Sequence, residues 1–426
     1  MRIELTKDLK PIRVLLALRN LSSSNKGGPG AAARVLAQAL IHLDKELQED
    51  IHVALLENLH IRPLSDLNKE ENIQPVIKRL HSKSYWLKLQ FMPDSLLLNL
   101  MHGISLYAKS LLFPFWLRLH LRDDMGIIQS FIPNLTFVLA RNRRRRYLVI
   151  HSDHSKGGWS REFSQLFPHL SESLLVKRMK RIEMEAIRSS DHIIFSSKGA
   201  YQLFREWHQE MWDIPESKIS IIYTGIPDWM QQLGVSSNFD SPFLILNIAQ
   251  HVPEKRLDRF IRGVNMFFER VPTRSESFVA RNYGESTPFT RHLMAEYDVK
   301  AIEFRDVIPH PDLLKEIGRS WVIVSIPEVA VFDLVVLESM ALGKPIIASN
   351  VGGNVEALGE DYPLYANDPD EIVEKLEHLL ITPGLYHYVS KRNRQRFIDM
   401  FSQKTFVEKH IALWEALAIA RKKGVG

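Results

Sequence analysis

The sequence predicts an α/β chain built as two doubly wound domains facing across a cleft. Three observations carry this expectation. Short apolar runs alternate with amphipathic helical stretches over most of the 426 residues. The alternation occurs as two series, separated by one polar stretch, "QQLGVSSNFDSP" at 231–242. The length suits roughly two or three domains at about 150 residues each. Alternating strand–helix units make parallel sheets covered by helices on both faces. Ligands of such sheets sit beyond the carboxyl ends of the strands, so two facing domains would place a cleft there.

Taken in order, "IRVLLAL" (12–18) reads as a buried strand, and "AAARVLAQALIHL" (31–43) has helical apolar spacing. Between them lies a Gly-rich loop, "RNLSSSNKGGPG". "HVALLE" (52–57), "YLVIHSD" (147–153), "DHIIFSS" (191–197) and "ISIIYTG" (219–225) read as further strands, and "ESLLVKRMKRIEMEAIRSS" (172–190) as a long basic helix. The polar stretch then reads as a linker. The second series has strands at "FLILNIAQ" (243–250), "SFVARNYG" (277–284), "AIEFRDV" (301–307), "WVIVSIP" (321–327) and "PIIAS" (345–349), with a helix at "RLDRFIRGVNMFFERV" (256–271). "QKTFVEKHIALWEALAIARKKG" reads as a terminal amphipathic helix.

Composition sets outer bounds. The chain is 45% hydrophobic and 25% charged, both ordinary for a globular protein. Its net charge of +5 is too small to imply nucleic acid by itself. With no cysteine, disulfides, thiolate metal sites and cysteine nucleophiles are excluded, and a cytoplasmic location is compatible. The opening "VLLAL" is a five-residue run between Arg13 and Arg19, read as strand rather than signal peptide. No uncharged run approaches the roughly 20 residues of a membrane span. The segment 85–121 is rich in Leu, Phe and Trp and reads either as helices in a membrane interface or as buried helices broken at Pro93 and Pro114. The run Arg141–Arg146 reads either as a cluster for anionic lipid head groups or as a solvated loop.

The chemistry concentrates in "DLVVLESMALGKPIIASNVGG" (333–353). A helix starting near Phe332–Asp333 directs free backbone N–H groups outward, an end that attracts phosphate. Glu338, about a turn and a half further in, could accept hydrogen bonds from a vicinal diol such as ribose. The plain alternative is that Asp333 caps the helix and Glu338 pairs with a lysine. Lys255 and Arg256, between a strand and a helix, can bring cations to the same phosphates. Gly27 and Gly28 allow close approach of backbone to a ligand. Neither a G-x-G-x-x-G fingerprint nor a P-loop lysine is present.

The order and spacing of these pieces resemble the retaining glycosyltransferases of the GT-B fold, family-4 type (group 1), over roughly residues 12–365. The matching stretches are "KGGPGAAARVLAQAL", "SDHIIFSSKGA", "IIYTGIPD", "NIAQHVPEKRLD", "FRDVIPHPDLLKEI" and "SIPEVAVFDLVVLESMALGKPIIASNVGGNVEA". The resemblance implies an acceptor-side Rossmann-like domain over 1–235, a nucleotide-sugar domain over 236–400, and a helix, 401–426, crossing back to the first domain. It implies a nucleotide-sugar donor, UDP- or GDP-linked, with no other cofactor and no metal. Glu338 then matches the ribose-binding glutamate and Lys255 the phosphate-binding lysine. Val331, Phe332, Asp333 and Leu334 match the turn that holds diphosphate and sugar. Gly27 and Gly28 match the loop over the donor phosphates, and His151 an active-site histidine; a lone histidine can equally be structural.

The chain also departs from the family pattern. Ala330 stands where the first of two glutamates is usual, and Glu328 is the nearest acid. Val331-Phe332-Asp333 replaces a Gly-Phe-Gly turn. Gln250 stands for a phosphate-binding arginine and Arg256 for a glycine. A charged hydrogen bond is typically worth about 1.5–3 kcal/mol, so each loss matters. Arg256, Arg281 and Glu328 are candidate compensators. The expected function is retaining hexosyl transfer to a saccharide or lipid-linked acceptor in cell-envelope or polysaccharide synthesis. Peripheral membrane contact would run through 85–121 and Arg141–Arg146 at the cytoplasmic membrane face, and nucleic acid is no partner. The alternative, from Ala330, Asp333 and Gln250, is a non-catalytic glycosyltransferase-like subunit.

Overall fold

The computed structural model describes residues 12–18, 35–37, 39–40, 51–57, 60–63, 126–141, 145–233, 243–271, 277–330 and 332–422. Gly27, Gly28, Val331, the segment 85–121, residues 142–144 and the linker core 234–242 lie outside them.

The chain divides into two units. The first comprises Met1–Ser196, Tyr201–Ile222 and Val407–Gly426. Its sheet has seven strands: β1 Ile12–Leu18, β2 Ile51–Glu57, β3 His60–Pro63, β4 Ile127–Ser130, β5 Leu148–Asp153, β6 His192–Phe195 and β7 Ile219–Ile221. Their order is β3-β2-β1-β4-β5-β6-β7, parallel throughout except for β3.

Strand β4 did not stand out in the sequence. Its four residues, "IIQS", put a glutamine and a serine into a central, fully buried strand. Gln129 is tolerated there because both ends of its amide are satisfied: Nε2 donates to Ser152 Oγ at 2.8 Å, and Oε1 accepts from Trp414 Nε1 at 2.9 Å. Trp414 lies on the terminal helix Gln403–Lys422 and is fully buried.

A second buried polar group fixes the loop after β5. Glu183, inside the helix Leu174–Ser189, accepts from Ser160 N at 3.0 Å and from Ser160 Oγ. His208 Nε2 lies 3.1 Å from the same carboxylate, and Trp207 Nε1 donates to Ser160 Oγ at 2.9 Å. In the sequence Glu183 reads as one more charge on a basic helix.

The second unit is Ser197–Ala200 with Tyr223–Phe406. Its five parallel strands are β8 Phe243–Ile248, β9 Phe278–Tyr283, β10 Ile302–Arg305, β11 Val322–Ser325 and β12 Ile346–Ala348. Their order, β10-β9-β8-β11-β12, is doubly wound, with its topological switch point between β8 and β11. One apolar core runs through this unit, including Leu246, Phe260, Ile323, Leu337 and Phe397.

The sequence placed the division at 235/236, whereas the units part at Ile222/Tyr223. The reason is packing. Tyr223 stacks on Phe332 at 5.5 Å, and Trp229, Met230 and Leu233 lie against the second core. Gly225 permits a close pass here, because a Cβ would meet Phe406 Cβ at 2.5 Å and Ser402 O at 2.7 Å. At the other end the division falls at Phe406/Val407 rather than 400/401.

Candidate functional site

In the second unit the site is built at the carboxyl ends of β8 and β11. After β8 the chain turns through Pro253–Lys255 into the helix Leu257–Arg270. A buried polar chain sets this turn in place. His251 Nε2 lies 2.6 Å from Asn282 Oδ1, Asn282 Nδ2 donates to Asn247 Oδ1 at 2.7 Å, and Asn247 Nδ2 donates to Val324 O at 2.7 Å. On the other side of the ring, Nδ1 meets Thr290 Oγ1 at 2.8 Å. Burial pushes the His251 pKa down, and the bond to Asn282 only partly opposes it. Neutral His251, donating from Nε2, completes the chain.

Arg256 has left-handed backbone, φ 49° and ψ 45°. That conformation explains why glycine suits this position, since side-chain-bearing residues pay roughly 1–2 kcal/mol there. Its guanidinium is taken by Asp258 at 3.0 Å and by Glu328 at 3.7 Å. A backbone bond from Glu328 N to Glu254 O, 2.8 Å, ties the loop after β11 to the same turn. Arg281 is not available as a compensator: on β9 it is held by Glu303 of β10 at 2.9 Å and by Glu316.

The helix after β11 is Leu334–Ala341, apolar nearly all round and buried on most of its surface. Asp333 occupies its N-cap but makes no side-chain cap bond. Its carboxylate instead grips Lys255 Nζ with both oxygens, at 2.8 and 2.9 Å. Both side chains are largely buried, 17% and 16% exposed. Glu338 is buried, and its partner is a histidine rather than a lysine: Oε1 lies 2.7 Å from His310 Nε2. This bond raises the His310 pKa against the effect of its burial. The Trp229 ring meets His310 edge-on at 5.5 Å. His310 begins the helix His310–Arg319, just after β10, within the stretch "FRDVIPHPDLLKEI". Its place beyond a strand's carboxyl end was the available signal.

Ala330 is 3% exposed and its carbonyl accepts from Gly353 N at 2.7 Å. Gly352, φ +39°, makes this contact possible, since a Cβ would stand 2.2 Å from Ala330 O. Phe332 packs its ring against both Tyr223 and Phe401, which also meet each other edge-on. Gln250 is exposed, with its carbonyl accepting from Val252 N at 2.9 Å. Leu334 is half-buried.

In the first unit His151 sits near the carboxyl end of β5, 1% exposed. Thr136 gives its proton to Ile132 O at 3.0 Å, so His151 Nδ1 donates to Thr136 Oγ1 at 2.9 Å. Nε2 faces Asp153 Oδ2 at 3.8 Å. Burial raises the Asp153 pKa, but the neighbouring His151 ring and the two hydrogen bonds from Ser155 outweigh it and hold the carboxyl below its usual value. Among the described residues no group of three or more His, Asp or Glu could hold a metal ion, and no helix is long and apolar enough to cross a membrane.

Two parallel, doubly wound units, the second with a lysine and a buried glutamate at its switch point, define a GT-B-type glycosyltransferase scaffold. The glycosyl transferases group 1 profile matches residues 231–396, and the glycosyltransferase family 4 profile matches 98–228. The two matched regions together make the chain similar to the group 1 glycosyltransferases. An uncharacterised glycosyltransferase of Methanocaldococcus jannaschii is 24% identical over 221 residues, 48% of this chain. That stretch spans 56% of the relative, about half its length. Sucrose-phosphate synthase from Thermosynechococcus elongatus superposes with a TM-score of 0.63 at 17% identity, covering 96% of this chain and all of that one. HepE of Anabaena, in complex with UDP and glucose, superposes with a TM-score of 0.57 at 15% identity, covering 94% and 99%.

Proposed function

We propose that the chain transfers a hexosyl group from a nucleotide-sugar to a saccharide or lipid-linked acceptor with retention, independently of metal. The observation that carries this reading is the placement of Lys255 at the amino end of the Leu334–Ala341 helix, with Glu338 buried further along it. A diphosphate would lie between Lys255 and the helix N–H groups, and a ribose diol would bond Glu338. UDP or GDP is the favoured leaving group, as in the UDP-bound HepE neighbour. Lys255 and the helix N–H groups would stabilise the departing diphosphate. The acceptor hydroxyl attacks from the face the diphosphate leaves, and a departing phosphate oxygen takes its proton, so no protein nucleophile is required. His151, near the carboxyl end of β5, is the candidate active-site histidine of the first unit. We assign the reaction to cell-envelope or polysaccharide synthesis at the cytoplasmic face of a membrane.

The test is thermal stabilisation by a panel of nucleoside diphosphates and their sugars. A ligand specific for the native state stabilises by RT ln(1 + [L]/Kd). One nucleotide should raise the melting temperature, and Glu338→Ala should remove the rise. No shift with any nucleotide at millimolar concentration would favour the second reading, a non-catalytic glycosyltransferase-like subunit. That reading has its own observation: Asp333 already neutralises Lys255.

A further inference from the structure

A cavity of about 620 Å³ opens in the first unit at the amino ends of β4, β5 and β6, the opposite edge of the sheet from His151. Ala140, Arg141, Arg145, Tyr147, Asp191 and Arg421 help to line it. The three guanidinium groups come from different places and are held differently. Arg145 is neutralised: it pairs with Asp191, donating to Oδ1 at 3.0 Å and also to Oδ2, and donates to Ser189 O at 3.3 Å. Asp191 in turn accepts from Val149 N at 2.6 Å, so this pair is built into the start of β5. Arg141 ends the helix Pro133–Ala140 and lies over the Phe137 ring at 5.0 Å. Arg421, from the last turn of the terminal helix, donates to Gly126 O at 3.2 Å and to Arg146 O. Neither Arg141 nor Arg421 faces a carboxylate among the described residues.

Three cations less one carboxylate leave the lining with two uncompensated positive charges. The volume exceeds that of a bare inorganic anion and lies within the range of small-ligand sites, about 300–1,000 Å³. A phosphate monoester carries about −1.5 to −2 at neutral pH, and guanidinium groups match its oxygens with paired N–H bonds. Backbone carbonyls and an aromatic face hold Arg421 and Arg141, which lowers the entropy lost when a ligand orders them.

We propose that this cavity binds a phosphate ester on a small polar group, with Arg141 and Arg421 as its ligands and the Arg145–Asp191 pair as its floor. The site is independent of the donor reading, since it lies at the other edge of the first unit's sheet from His151 and uses none of the donor residues. Two sources offer this chemistry, a phospholipid head group and a free phosphorylated metabolite.

The experiment separates them. The full chain is titrated with glycerol 3-phosphate by calorimetry and floated with vesicles of phosphatidylcholine, with and without phosphatidic acid. Arg141→Gln and Arg421→Gln are made singly and together; both side chains are exposed, and Arg145 is left in place to keep Asp191 paired. Thermal melting checks that the variants fold. Saturable binding in either arm is expected, weakened about tenfold or more by each substitution. Binding to phosphatidic acid vesicles alone assigns the site to a lipid, and binding to glycerol 3-phosphate assigns it to a metabolite. Absence of binding in both arms, or a double variant that binds as the wild type does, overturns the proposal.

Discussion

Asp333 changes the character of the lysine it grips. In the sequence it reads as a helix cap or as an acid set against a diphosphate, and the structure gives it a third role as partner of Lys255. The pair joins residues 78 positions apart, and His310 meets Glu338 across 28. Spacing along one chain cannot announce such contacts, so Lys255, Asp333 and Glu338 stand out in the sequence while their pairings do not. The consequence is testable. With the pair closed, an incoming diphosphate would compete with a carboxylate for the lysine that Asp333 holds at this helix end. Asp333→Asn keeps the shape and frees Lys255. Its affinity for inorganic pyrophosphate should rise about tenfold, one charged hydrogen bond's worth, while Lys255→Ala should bind more weakly than wild type. The pair is largely buried, so removing one of its charges in Asp333→Asn should lower stability by about 1–3 kcal/mol. Calorimetric titration reads the affinity, and an unchanged value in Asp333→Asn would refute competition by the carboxylate.

The strands and helices show where a periodicity argument holds and where it stops. β5, β6, β8 and β11 are runs of buried β-branched and aliphatic residues and were found within a few residues of their ends. β4 was missed because Gln129 and Ser130 interrupt its apolar signal, and the group that makes Gln129 acceptable is Trp414, 285 residues away. The short antiparallel β3 was missed as well; it ends in a proline, which argues against a strand interior. The Gln129–Trp414 bond therefore links the centre of the first unit's sheet to the end of the chain. Trp414→Phe keeps most of the buried volume and removes the donor, leaving Gln129 Oε1 buried without it. A loss of about 1–3 kcal/mol is expected, read as a lower urea midpoint with unchanged far-ultraviolet circular dichroism. Trp414→Phe unfolding at the wild-type midpoint would show that the bond contributes nothing net.

Across the chain as a whole, buried histidines set the response to pH. Burial lowers His154 to about 4, despite the opposing field of Asp153, and lowers His192 to about 4, aided by Lys218. His251 is shifted the same way by burial. Between about 4 and the ordinary histidine value of 6.5 the unfolded chain therefore protonates His154 and His192 while the native chain does not. The unfolded state binds more protons there, so stability rises with pH through this window and falls on acidification, by up to ~1.4 kcal/mol per pH unit for each such group. His310 works in the other direction and in another window. Its bond to Glu338 raises its pKa above 6.5, so its contribution is complete below 6.5 and is lost as pH climbs through the raised value. The two effects do not cancel, because they occupy opposite sides of 6.5. Urea midpoints measured from pH 4.5 to 8 should thus climb steeply on the acid side and decline gently above neutrality. His192, whose Nε2 meets Ser220 Oγ at 2.8 Å, offers the cleanest check. His192→Gln retains a polar partner for Ser220 and cannot titrate, so the acid-side slope should shallow by about one group's share while the alkaline side stays as it was. His310→Gln should do the reverse. A profile that is flat across this range, or one in which His192→Gln leaves the acid limb untouched, would place the pH response elsewhere than in these buried rings.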